Sequence, residues 1–201
     1  METTRGPGQR AGLSRTRVLD VATDLLAERG APALTMRAVA QRLGVAPNAI
    51  YSHVADKNEL VDGVLDRVLA QVEAPLPGEG TDPVAALHRL MSSSYEVLLR
   101  HSDLVPVYLA RQGASGENAW RLGDVMLAHL AAVGVTGPSA REALRVLIVY
   151  TIGFAAFTAR GPGEPGEPPL SEAELRANFD HGLRWLLTGI TSGSATARTT
   201  Q

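Results

Sequence analysis

Cysteine is absent from the 201 residues. That excludes a disulfide framework, a thiolate zinc site and a cysteine nucleophile, and it fits a reducing cytoplasm. Lysine is almost absent too: Lys57 stands alone and every other positive charge is arginine. The glycine-rich run GPGEPGEPP (161–169) lacks the lysine and the strand–helix context of a phosphate loop. Ser92-Ser93-Ser94 has no Gly-x-Ser-x-Gly elbow and reads as a polar helix face. His88, His101, His129 and His181 show no metal-ligand spacing, so neither a metal nor a cofactor is expected. The start, METTRGPGQR, has no apolar core of a signal peptide. The most apolar run, Val146 to Ala159, is shorter than a membrane span and is flanked by Arg145 and Arg160. It reads as a buried helix rather than a membrane segment.

What is present points to an all-α protein. Hydrophobic residues make up 45%, enough for a sizeable core. The net charge of −2 hides a polarity: residues 1–57 carry eight Lys+Arg against five Asp+Glu, and the remainder is acidic. A basic head on an acidic body is where a polyanion would dock. Residues 1–13 read as a disordered arm. Ser14 caps a helix to about Arg29 with Val18, Ala22, Leu25 and Leu26 on one stripe, and Gly30 ends it. Thr35 caps a second helix that Gly44 closes, and Pro47 suits the first turn of a very short third one ending near His53. Asp56-x-x-Glu59 opens a fourth helix, predicted over 57–73, before the break APLPGEG. Further helices are expected from Asp82-Pro83, near Ser102, over Glu117–Ala132, from the capping box Ser139-x-x-Glu142 to Arg160, and from Ser171-x-x-Glu174 to about Thr188. The segment 161–169 reads as a mobile loop and 189–201 as a disordered tail. The predicted domains are a three-helix head over 14–56, a connecting helix over 57–73 and a helical body over 82–188. There is no internal repeat and no strand-like alternation.

Helices two and three of the head meet at a tight glycine turn, the arrangement of a helix-turn-helix, whose second helix enters the DNA major groove. The stretch GVAPNAIYSHVADKNEL fits that task. Ile50 and Val54 share one face and pack inward, which leaves Pro47, Asn48 and Ala49 at the exposed N-terminal end that reaches base edges. Asn48 can bond adenine bidentately and Ala49 can touch a thymine methyl. Tyr51 and His53 offer donors to phosphate oxygens. Lys57 sits at a helix start, where free backbone N–H groups also favour an anion. Arg37, just after Thr35 at the start of the second helix, is the candidate for a bidentate guanine contact.

At these residues the chain resembles the TetR family of bacterial repressors. The segment TMRAVAQRLGVAPNAIYSHVADKNEL carries the family signature: Thr35 at a helix start, Gly44-Val45 at the turn, Tyr51 in the reading helix, then Lys57 and Leu60. His53-Val54 stands where a Tyr-Phe pair is commoner, and Arg37 matches a guanine-reading arginine of the family. The resemblance implies a homodimer that binds a palindromic double-stranded DNA operator. It also implies release of that operator when a small-molecule effector enters a C-terminal ligand-binding and dimerisation domain. The dimer seam would be a four-helix bundle from about 139–160 and 171–188 of each subunit. A helix as apolar as Val146 to Ala159 agrees with this, because one small domain does not cover it.

For the effector pocket, Met91, Tyr95, Tyr108, Trp120, Met126, Tyr150, Phe154 and Phe157 hold most of the chain's few aromatics and suit an apolar cavity with polar handles. The positions that align with the magnesium-holding His and Glu of the family's magnesium–tetracycline sensors carry Tyr108 and Phe157. Neither is a good magnesium ligand, so magnesium–tetracycline sensing is not expected. An activator, or a regulator without a ligand, would carry the same head. A helical enzyme or small-molecule carrier is the reading from a different class, and no catalytic constellation supports it.

Overall fold

A computed structural model of the chain describes residues 12–78, 80–111, 113–159 and 170–198. The predicted arm, apart from its last two residues, the 161–169 loop and the last three residues lie outside the described residues. The described residues contain nine α-helices and no strand, as expected. They divide into two units, one ending at Val61 and one beginning at Asp62.

The first unit holds α1 (Arg15–Arg29), α2 (Met36–Leu43), α3 (Pro47–Ile50) and the first turn of α4 (Lys57–Leu69). Its local signals work as the sequence suggests. Ser14 accepts from the Arg17 N–H at 3.2 Å and Thr35 from the Ala38 N–H at 3.1 Å, each satisfying an orphan donor of its helix. Gly44 adopts φ 68° and turns the chain between α2 and α3. Val18, Ala22, Leu26, Val39, Ile50, Val54 and Leu60 bury their side chains together as the core of this unit. The Glu59 carboxylate accepts from the Ala55 N–H at 2.6 Å, and the Glu59 N–H donates to Asp56 at 2.9 Å, so the predicted capping pair forms. The third helix ends at Ile50, and residues 51–53 continue as turns.

The second unit contains the rest of α4, α5 (Pro83–Arg100), α6 (Val105–Ala110), α7 (Glu117–Ala132), α8 (Gly137–Ala159) and α9 (Glu172–Arg198). α5 packs against α7, α8 and α9, and α8 also meets α6, α7 and α9. The α4 helix stops at Leu69, four residues short of the predicted end. The chain beyond it is tied down by the Glu73 N–H on Ser93 Oγ (2.9 Å) and by His129 Nε2 on the Pro75 carbonyl (2.7 Å). α8 begins at Gly137, two residues before the predicted cap, because Pro138 fits a first helical turn. Ser139 is therefore inside the helix and its capping box with Glu142 is not the start. The expected tail does not begin at 189: α9 runs on to Arg198. Gly189 and Gly193 each cost only about 1 kcal/mol in a helix, and no proline follows to stop it.

α8 is not buried on most sides. Val146, Val149, Gly153 and Phe157, spaced by three, four and four residues, form one exposed stripe, with Val149 68% and Phe157 62% accessible. Trp185 on α9 is 77% accessible. Counted from Gly137, α8 has the length and composition to cross a membrane, unlike the shorter run read from the sequence. Beside that stripe α8 grips α9 closely. Tyr150 Oη donates to the Phe179 carbonyl at 2.8 Å, and a Cβ at Gly182 would lie 2.2 Å from Tyr150 Oη. Tyr95 stacks on Phe179 at 4.1 Å and Phe154 meets both rings edge-on.

Candidate DNA-interface and ligand cavity

In the first unit the predicted contact residues lie on its solvent side. Arg37, Pro47, Asn48, Tyr51 and Lys57 are exposed, Thr35 is exposed and engaged as a cap, and Ala49 and His53 are half-buried. Val39, Ala40, Ile50, Val54 and Leu60, interleaved among them, are buried. That alternation fixes the rotation of α2 and α3: the apolar side is spent on the core, so the other side is free for a partner. The cations divide by role. Arg15 pairs with Glu59 at 3.3 Å, and Arg42 clamps Glu28 through both terminal nitrogens. Arg37 and Lys57 have no ion pair among the described residues. The two paired arginines brace helices; Arg17 and Arg29, like Arg37 and Lys57, have no ion pair among the described residues. Arg42 holds the Glu28 carboxyl below its ordinary pKa, and the Ala55 N–H does the same for Glu59, with Arg15 adding to it.

In the second unit α5, α6, α7 and α8, with Leu69 of α4 and Gly113 and Ala114 of the loop before α7, line a partly open cavity of about 150 Å³. Of the eight predicted pocket residues, Met91, Tyr108 and Met126 line it. Tyr95, Tyr150 and Phe154 form the separate ring cluster around Phe179. Trp120 and Phe157 are exposed. Ser94, Gly123, Thr151 and Ile152 also line the cavity and were not foreseen. Thr151 has a weak sequence signal, a hydroxyl within the apolar run of α8 that also holds Tyr150 and Thr158. Tyr108 is buried, its hydroxyl donates to the Leu65 carbonyl at 2.6 Å, and burial pushes its pKa well above the ordinary phenol value. With Phe157 on the outside, the residues at the two aligned positions do not meet as a metal site. No cluster of metal-ligating side chains occurs among the described residues.

Three polar ties join the second-unit part of α4 to the cavity wall. Asp62 pairs with Arg111, the Leu65 carbonyl accepts from Tyr108, and Asp66 reaches the start of α7. That start has Gly116 at its cap position and therefore no capping side chain of its own. Asp66 supplies one from α4, accepting from the Ala119 N–H at 2.9 Å, the Asn118 N–H at 3.3 Å and Asn118 Nδ2 at 3.1 Å. Gly116 has φ 146°, and a Cβ there would fall 2.4 Å from the Asp66 carboxyl carbon. Nothing in the sequence marks Asp66, because its partners are more than fifty residues away.

The family model for bacterial regulatory proteins of the tetR family matches residues 18–64, and the tetracyclin repressor-like C-terminal domain model matches residues 74–177. The tetracycline repressor protein class D of Escherichia coli is 30% identical over 199 residues, spanning 90% of each chain. Among solved structures, apo ActR from Streptomyces coelicolor superposes with a TM-score of 0.81 at 24% identity, covering 94% of this chain and 100% of that one. At that identity the likeness speaks to the fold. A TetR substitution variant from Acinetobacter baumannii in complex with minocycline gives a TM-score of 0.76 at 26% identity, covering 91% and 99%.

Proposed function

This chain belongs to the tetR family of bacterial regulatory proteins, and we propose that it is a cytoplasmic repressor acting as a homodimer on a palindromic operator. A small molecule entering the cavity of the second unit releases it. The observation that carries the reading is the solvent face of the first unit: Arg37 and Lys57, exposed and without an ion pair among the described residues, share it with exposed Pro47, Asn48 and Tyr51, while the apolar side of α2 and α3 is spent on the core. α3 would enter the major groove with Pro47, Asn48 and Ala49 at base edges. Arg37 would reach a guanine, and Thr35, Tyr51, His53 and Lys57 would take phosphates. The stripe Val146, Val149, Gly153 and Phe157, with Trp185, supports a seam between two copies built from α8 and α9. It also accounts for an apolar helix without a membrane. Among the described residues no catalytic constellation supports an enzyme.

Release follows from linkage. A ligand shifts an equilibrium only by binding its two states unequally. The cavity wall holds α4 through Asp62, Leu65 and Asp66, and α4 continues without a break to Lys57. A ligand that displaces α6 or the start of α7 therefore displaces α4, and two heads reading successive major grooves about 34–36 Å apart lose register. Coupling of about 1–3 kcal/mol gives a several-fold to hundredfold response. Magnesium–tetracycline is not the expected ligand, since Tyr108 is engaged with Leu65 and Phe157 faces outward. The test is selection of bound sequences from a random duplex pool, followed by sizing of the complex. A palindrome held by one or two dimers is expected; failure to enrich any sequence with ligand-free refolded protein at low salt contradicts the reading.

A further inference from the structure

We propose that the ligand of the α5–α8 cavity is a compact, uncharged, mainly apolar molecule that presents a hydroxyl or N–H donor. The proposal rests on reading that cavity as the effector site, and it adds the chemistry of the occupant. Among the described residues that line the cavity none is Asp, Glu, Lys, Arg or His. Three carry hydroxyls, and the proton of each is already spent. Ser94 Oγ donates to the Leu90 carbonyl at 2.8 Å, Thr151 Oγ1 to the Leu147 carbonyl at 2.9 Å and Tyr108 Oη to the Leu65 carbonyl. A hydroxyl has one proton and two lone pairs. The side-chain hydroxyls of the wall therefore accept and do not donate.

Each class of ligand meets that wall differently. Among the described lining residues a carboxylate or phosphate finds no cation and no free side-chain donor, and an ammonium finds no counter-charge, so burial of either is strongly opposed. An ether or ketone brings one more acceptor to a surface of acceptors and leaves it unsatisfied. A phenol, alcohol or amide N–H can donate to Ser94 or Thr151 while its carbon skeleton fills the remainder. Met91 and Met126 on the wall are polarizable and adjust to rings of differing outline. A partly open cavity of about 150 Å³ has room for a single aromatic ring.

The test is titration calorimetry of the full-length protein with four single-ring probes that share a tolyl skeleton: p-cresol, 4-methylanisole, toluene and p-toluate. We expect p-cresol to bind about fivefold more tightly than toluene or 4-methylanisole, the effect of one neutral hydrogen bond, and p-toluate to give no binding heat. In the double variant Ser94→Ala, Thr151→Val, toluene should bind as before and p-cresol should lose its advantage. A retained affinity for toluene shows that the variant still folds around the cavity. Equal binding of p-cresol and 4-methylanisole, binding of p-toluate, or no heat from p-cresol up to its solubility overturns the proposal. Adding p-cresol to the complex with the selected operator separates the two readings. Binding without release upholds the ligand class and counts against effector control of DNA binding; release upholds both.

Discussion

Replacing Asp66 with alanine should damage both stability and response, and the size of the loss can be worked out. The carboxylate closes three donors at the start of α7, two of them backbone N–H groups. A capping side chain is worth about 0.5–2 kcal/mol, and hydrogen bonds to a charged group about 1.5–3 kcal/mol. Asp66 is half-buried, so solvent replaces part of what is lost, and about 2–3 kcal/mol is expected for Asp66→Ala. Gly116→Ala attacks the same contact from the other side: its Cβ cannot coexist with the carboxyl group, and φ 146° is strained for any side chain. Because each substitution breaks one shared contact, the double variant should lose about 1 kcal/mol less than the sum of the singles. Urea unfolding at one fixed dimer concentration measures this. Asp66→Ala should also bind ligand nearly as before while its operator is released less. A stability change below about 0.5 kcal/mol, the ordinary range for surface substitutions, with normal release would refute Asp66 as the tie between α4 and α7.

Other outcomes follow from the same geometry. Arg37→Ala should cost about 1–3 kcal/mol on the selected operator and relax one base pair, whereas Lys57→Ala should weaken operator and random DNA alike and lower the salt slope by about one; anisotropy titrations over a salt series distinguish them. Gly182→Ala gains about 1 kcal/mol of helix propensity but drives a methyl into Tyr150 Oη. A net loss of about 1–3 kcal/mol and weaker subunit association by sedimentation are expected. On acidification the first unit should lose stability. Its Glu59 and Glu28 have folded pKa values below their unfolded ones, so their contribution is present above the ordinary carboxylate range and disappears as pH falls through it and below. Thermal melts across that range should show the loss, and Glu59→Gln should flatten it.

The features legible in the sequence were those written within a few residues. Ser14, Thr35 and Gly44 declare themselves by cap chemistry, and the alternation of Ile50 and Val54 with Asn48, Tyr51 and His53 shows which side of the head is free. Ser139 misled because two good starts lie close together, and Pro138 favours the earlier one. The cavity was only partly legible. An aromatic side chain reads the same whether it lines a cavity, stacks in a core or covers an interface. Tyr95 and Tyr150 went to Phe179, Trp120 faces solvent, and Phe157 joined an outer stripe that its spacing from Val149 and Gly153 could have revealed. Asp66 and Gly116 were out of reach, because an acidic residue on a helix surface carries no mark of a partner that far along the chain.

The measurement that tests the central claim most directly is a footprint on the selected operator with methylation interference at guanine, for wild type and Arg37→Ala. The account predicts two identical protected major-groove windows, related by a two-fold axis and one turn of about 10–10.5 base pairs or a multiple of it apart. It also predicts one interfering guanine in each window that becomes indifferent in Arg37→Ala. A single asymmetric window, or guanine interference unchanged by loss of Arg37, would contradict it.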